Sequence, residues 1–95
     1  MKVQWTPEAR QDRQEVVDNL AHRDPAAAER MDNRFLQAVQ RLERFPHMGR
    51  PGTFPHTREL IPHPNYRIVY MVGDDTIYIL GLFHTRRQWP PMSED

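Results

Sequence analysis

A change of hydrophobic period part-way along the chain restricts its fold more than any other feature. Ala28, Met31, Phe35, Ala38, Val39, Leu42 and Phe45 recur at three- and four-residue intervals, the spacing of one buried helical face. A loop carrying Pro46, Gly49, Pro51, Gly52 and Pro55 follows, and it has too little apolar content for a regular element. Beyond it the rhythm alternates. Tyr66 to Val72 and Thr76 to His84 read as strands joined by a tight turn at Gly73-Asp74-Asp75, as in a β-hairpin. Helices first and strands afterwards predict an α+β fold, with the helices segregated to one face of an antiparallel sheet.

The remaining segments fit that frame. Lys2 to Trp5 alternates polar and apolar residues and reads as a first strand. Thr6-Pro7-Glu8 then starts a helix, with Thr6 as N-cap, Pro7 at the first helical position and an acid in the first turn. Ala9, Val16, Val17, Leu20 and Ala21 give it a weak apolar stripe, along which the stem of Arg13 is expected to lie. Asp24-Pro25 ends this helix and caps the next. So short a link predicts an antiparallel helical hairpin. Thr57 to Ile61 reads as a short strand and Pro62-His63-Pro64-Asn65 as a rigid turn. Both long strands are apolar on each face, which places them centrally. The expected fold is an N-terminal strand and an antiparallel helical hairpin packed on one face of a small antiparallel sheet, the other face partly open. Residues 1–95 form one domain, with a frayed tail from about residue 90, where Pro90-Pro91 ends strand pairing.

At 95 residues the core is small, so a bound partner would add to stability. The chain has no cysteine, which excludes disulfides and thiolate zinc sites. It has no apolar run of membrane-spanning length and no secretory h-region, so a cytoplasmic location without membrane contact is expected. The net charge of +0 gives the whole molecule no pull on nucleic acid. The second half is nevertheless mildly basic: from Arg44 to Trp89, Arg44, Arg50, Arg58, Arg67, Arg86 and Arg87 face only Glu59, Asp74 and Asp75. Lys2 is the sole lysine. His47, His56 and His63 lie in Pro-rich loops without ligand-pair spacing, so no metal is expected, and no Gly-rich phosphate loop suggests a cofactor.

Two strand residues and one terminal segment carry candidate chemistry. Arg67, set among apolar neighbours, must be paired or project from an open face. Pairing with Glu59 on the preceding strand and a functional, open-face role both stand. His84 is either a strand-end residue capped by a backbone carbonyl or a catalytic group. Thr85-Arg86-Arg87-Gln88-Trp89 joins two adjacent arginines, a planar amide and a tryptophan, a set suited to nucleic-acid contact or to a protein hot spot. Trp89 is expected to pack over the sheet edge while the arginines stay available.

Thr57-Arg58-Glu59-Leu60-Ile61, His63-Pro64-Asn65-Tyr66-Arg67-Ile68-Val69-Tyr70 and Leu82-Phe83-His84-Thr85-Arg86-Arg87-Gln88-Trp89-Pro90 resemble the C-terminal half of RelE/ParE superfamily toxins. The opening Trp5-Thr6-Pro7-Glu8-Ala9 and the Gly49-Arg50-Pro51 loop are similar to that family too. The resemblance implies the toxin of a type II toxin–antitoxin pair, neutralised by a cognate antitoxin and reaching operator DNA only through it. Antitoxin contacts would fall on Arg58, Tyr66, Tyr78 and Trp89. The strand motifs are closer to the ParE-like, plasmid-stabilisation branch, whose members poison DNA gyrase. Arg67, His84, Arg86, Arg87, Gln88 and Trp89 would then be the target-binding set. The other branch cuts mRNA on the ribosome, and for that chemistry Arg67, His84, Arg86 and Arg87 would be catalytic. The lysine cluster and C-terminal tyrosine found among such nucleases are missing, which favours binding over catalysis.

Overall fold

Strand β1 (Lys2–Trp5) is short because Thr6-Pro7 converts the chain to helix. The computed structural model describes residues 1–87; the expected frayed tail, Gln88 and Trp89 lie outside the described residues. Thr6 Oγ1 accepts the Ala9 N–H at 3.1 Å, capping α1 (Pro7–Arg23), and donates to the Ile79 carbonyl at 2.9 Å. The cap therefore also ties the start of the helix to the sheet. Asp24 ends α1 by leaving helical geometry, and its carboxylate accepts the Ala27 N–H at 3.1 Å to open α2 (Pro25–Leu42). One residue thus separates two helices, and the chain must double back. None of the described helices is long and apolar enough to cross a membrane.

The helices contribute unequally. α2 buries Ala28, Phe35, Ala38, Val39 and Leu42, whereas α1 fully buries only Ala9. Arg13 does more than lie along the stripe of α1. Its guanidinium grips both oxygens of Asp32 at 2.6 and 2.8 Å and sits 5.4 Å from the centroid of Trp5, locking the hairpin to β1. Phe45 departs from expectation: it is 55% exposed. The helix stops at Leu42, and the turn through Glu43 and Arg44 carries Phe45 off the buried stripe.

The sheet contains β2 (Arg50–Pro51), β3 (Thr57–His63), β4 (Tyr66–Val72) and β5 (Thr76–His84), in the order β1-β5-β4-β3-β2. The β3–β4–β5 meander is antiparallel, with the two long strands inside as expected. β1 runs parallel to β5, which makes the whole sheet mixed rather than purely antiparallel. The Pro/Gly loop is not wholly irregular, because Arg50-Pro51 pairs with β3 at the sheet edge, where a proline without an N–H is tolerated. β3 also continues through Pro62 to His63 by way of a register shift after Leu60, leaving only Pro64-Asn65 as the turn.

A second irregularity decides which side chains share a face. Tyr70 pairs with Ile79 but Val69 pairs with Gly81, so Leu80 is an extra, bulged residue on β5. Ahead of the bulge Ile77 and Ile79 join the core under the helices; after it Leu82 does. The bulge shifts the alternation by one and carries His84 to the helix side of the sheet.

The loop after α2 is held from below. Tyr70 Oη donates to the Pro46 carbonyl at 2.8 Å and accepts the Gly49 N–H at 2.9 Å. Arg58 Nη1 donates to the carbonyls of Gly49 at 2.7 Å and His47 at 3.2 Å. Gly49 suits this clamp because a Cβ there would lie 2.7 Å from the Tyr70 ring and 2.8 Å from the Glu59 carbonyl.

Candidate functional site

The face of the sheet away from the helices carries an arginine–carboxylate–arginine row across three strands. Glu59 on β3 lies directly opposite Arg50 on β2 and diagonally from Arg67 on β4. The Arg50 and Arg67 guanidinium groups approach its carboxylate at 3.3 and 3.5 Å. Glu59 and Arg67 side chains are only 5% and 12% exposed, so each needs the other. Arg67 is engaged through its terminal nitrogens and its plane: the plane stacks 4.8 Å from the centroid of Phe83, its register partner, and its Nη2 donates to the Arg87 carbonyl. Its Nε is buried without a hydrogen-bond partner among the described residues.

On the other face, a cleft of ≈ 240 Å³ opens between α1 and the ends of β4 and β5, with Asp12, Asn19, Tyr66, His84 and Arg87 among its walls. Tyr66 stands edge-on to Phe35 of α2 at 5.4 Å and to His84 at 5.9 Å. His84 Nδ1 accepts the Arg86 N–H at 3.1 Å, which makes it a cap for the following turn. The expectation was a carbonyl receiving a ring N–H; here the ring receives a backbone N–H. That turn is stapled down by the Arg87 N–H on the His84 carbonyl and by Thr85 on the carbonyls of Pro64 and Asn65. Asp12 accepts the Leu82 N–H at 3.1 Å, covering the stretch of β5 edge that β1 does not reach. Burial pushes the Asp12 carboxyl above its usual range, against smaller opposing effects of the Leu82 N–H and the Arg87 charge.

The sequence candidates therefore divide. Arg67 and Arg87 meet through a backbone carbonyl. His84 and Arg67 do not meet, because the bulge at Leu80 puts them on opposite faces. The Arg86 and Arg87 side chains are exposed at the sheet end. Of the antitoxin candidates, Arg58 is committed to the loop clamp, Tyr66 is half-buried in the cleft, and Tyr78 is half-buried on β5, opposite Gln4 and Met71. Sequence reading offered Glu59 as one of two alternatives for Arg67, and missed Phe83 as the platform and Asp12 as the edge cap. The hairpin turn alone would have set Leu82 opposite Arg67, and nothing in an α1 aspartate announces a contact 70 residues away. Among the described residues no group of three potential metal ligands converges.

The family model described as "ParE toxin of type II toxin-antitoxin system, parDE" matches residues 3–89. The chain belongs to the ParE toxin family. "Putative toxin Y4kP" of Sinorhizobium fredii is 36% identical over 94% of this chain and 93% of its own length. "Toxin RelE2" of Caulobacter vibrioides is 35% identical over 90% of this chain and 97% of its own. Among solved structures, a chain of the "Chromosomal ParDE TA system from P. aeruginosa" superposes with a TM-score of 0.79 at 23% identity, covering 88% of this chain and 95% of that one. That last likeness concerns the fold: two helices on a five-stranded sheet. The family match makes this chain the toxin of a type II toxin–antitoxin system of the ParE/RelE superfamily.

Proposed function

We propose that this ParE-family toxin arrests growth in the cytoplasm by gripping DNA gyrase as a protein-binding inhibitor, and that a cognate antitoxin silences it by covering the sheet end. The observation that carries this reading is the division of the candidate groups between two faces. Cleavage of RNA needs a base, a general acid and cations gathered about one phosphate. Here Arg67 is committed to Glu59, Phe83 and the Arg87 carbonyl, while His84 lies across the sheet with Nδ1 occupied. A binding surface has no such requirement. The exposed Arg86 and Arg87, with Gln88 and Trp89 following them in sequence, supply guanidinium, amide and aromatic anchors of the kind that dominate protein interfaces.

Purified toxin is expected to stall gyrase supercoiling and trap cleaved DNA while leaving translation intact. Arg86→Ala with Arg87→Ala should abolish growth arrest and leave antitoxin binding mostly unchanged; full toxicity in the double variant would remove these residues from the site. The second reading, a ribosome-dependent mRNA nuclease, is favoured by one observation: Glu59 is a buried carboxylate between two arginines, a base with cations beside it. Cleavage of ribosome-bound mRNA, with gyrase indifferent, would establish that reading in place of the first.

A further inference from the structure

The solvent side of α2 carries a charge pattern that neither the core nor the sheet end uses. Arg30, Arg34, Gln37, Arg41 and Arg44 follow at intervals of four, three, four and three residues, the last on the turn that continues the helix. They share the face opposite Phe35, Ala38 and Leu42, and all five are exposed. None of the four guanidinium groups has a carboxylate in ion-pair range among the described residues. Between Asp32 and Glu59 the chain holds five arginines against the single acid Glu43. A molecule with a formal net charge of +0 thus has one distinctly basic side.

Helix stability accounts for only part of the pattern. Arg41 in the last turn and Arg44 just past it suit the negative end of the helix, but Arg30 and Arg34 lie away from that end and are like-charge neighbours at i,i+4, which costs an isolated helix a few tenths of a kcal/mol. At about 1.5 Å per residue the stripe runs about 21 Å from Arg30 to Arg44, roughly the rise of six base pairs. Gln37 lies between Arg34 and Arg41 on the stripe, and at its far end Gln37, Gln40, Arg41, Arg44 and the exposed Phe45 surround a shallow, mainly apolar hollow of ≈ 410 Å³.

We propose that this face of α2 is a sequence-independent docking surface for duplex DNA, with the arginines on phosphates and the glutamine amides on backbone oxygens between them. A protein partner would want an apolar centre, and the stripe has none before Phe45. A single strand would want a row of open aromatic faces; Phe45 stands alone at the stripe's end, with the Arg44 guanidinium 5.7 Å from its ring centroid. The surface is independent of the gyrase reading, and either can fail without the other.

The test is titration of a fluorescent mixed-sequence duplex with the full-length toxin, free of antitoxin, followed by anisotropy. Four phosphate contacts predict a slope of log affinity on log salt of about −3.6, or about a hundredfold weakening between 50 and 200 mM. Arg34→Ala with Arg41→Ala should flatten that slope by about 2 and weaken binding at low salt by at least about tenfold. Arg10→Ala with Arg23→Ala, on α1, should change neither; circular dichroism confirms that both pairs are folded. The proposal is overturned by absence of binding at low salt, by equal losses in the two pairs, or by tighter binding of the single strand.

Discussion

The two faces of the sheet hold themselves together by different physics. Under the helices, Ile68, Tyr70, Ile77, Ile79 and Leu82 meet Phe35, Val39 and Leu42, and the Tyr70 hydroxyl is doubly hydrogen-bonded at its edge. On the face away from the helices a carboxylate on β3 pairs with one arginine on β4 and a second on the edge strand β2. The first arrangement is non-directional and depends on filled volume. The second depends on partners, since a buried charge left alone costs far more than a pair contributes. In a chain this small the helices cover only one side, and the polar row on the other can be kept for contact as well as for stability.

Substitutions that remove volume on one face and charge on the other sharpen that contrast. The largest effect is expected for Phe35→Ala, which empties the centre of the α2–sheet contact and edge-on partner of Tyr66. A loss of about 3 to 5 kcal/mol in urea unfolding is expected. Arg67→Ala should cost less, about 2 kcal/mol, because Arg50 remains to partner Glu59. Glu59→Leu combined with Arg67→Met should recover most of that loss, as apolar replacement of a whole buried pair often does. Were the double variant as unstable as Arg67→Ala alone, packing on Phe83 rather than charge pairing would be the main contribution of Arg67. Growth arrest retained in a stable double variant would make the row structural, and its loss would make it part of the contact surface.

Much of this contrast was legible in the sequence. The helical period of α2, the Thr6 and Asp24 caps, the hairpin turn and the need for Arg67 to find a partner all follow from local chemistry. What was not legible is register. Uninterrupted alternation along β5 would put His84 on the face of Tyr78, and therefore of Arg67, where the two could act together. The extra residue Leu80 reverses that assignment; the one local mark was Gly81, since an isolated glycine inside a strand is where bulges occur, but a glycine there does not say on which side of it the register shifts. The parallel pairing of β1 and the engagement of Arg58 with loop carbonyls were hidden for a related reason: both depend on segments distant in the chain.

The smallest effect, and the one that tests the seam between the faces, belongs to Asp12. It reaches from α1 to the Leu82 N–H, just past the bulge, where β5 has lost its β1 neighbour. Burial raises its pKa above the ordinary 3.8, so the folded chain holds that proton more tightly than the unfolded chain does. The contribution of Asp12 to stability should therefore fall as pH rises from about 3.8 through the raised folded value, and stay at the lower level beyond it. Asp12→Asn keeps an oxygen that can accept the Leu82 N–H but removes the titration. Relative to the parent, the variant should gain in urea midpoint across that window and hold the gain at neutral pH. The gain is limited because the parent carboxylate also benefits from the charge of Arg87. A difference between the two proteins that stays flat across the window would mean that Asp12 acts only as a hydrogen-bond acceptor for the edge of β5, with burial of its charge irrelevant to the fold.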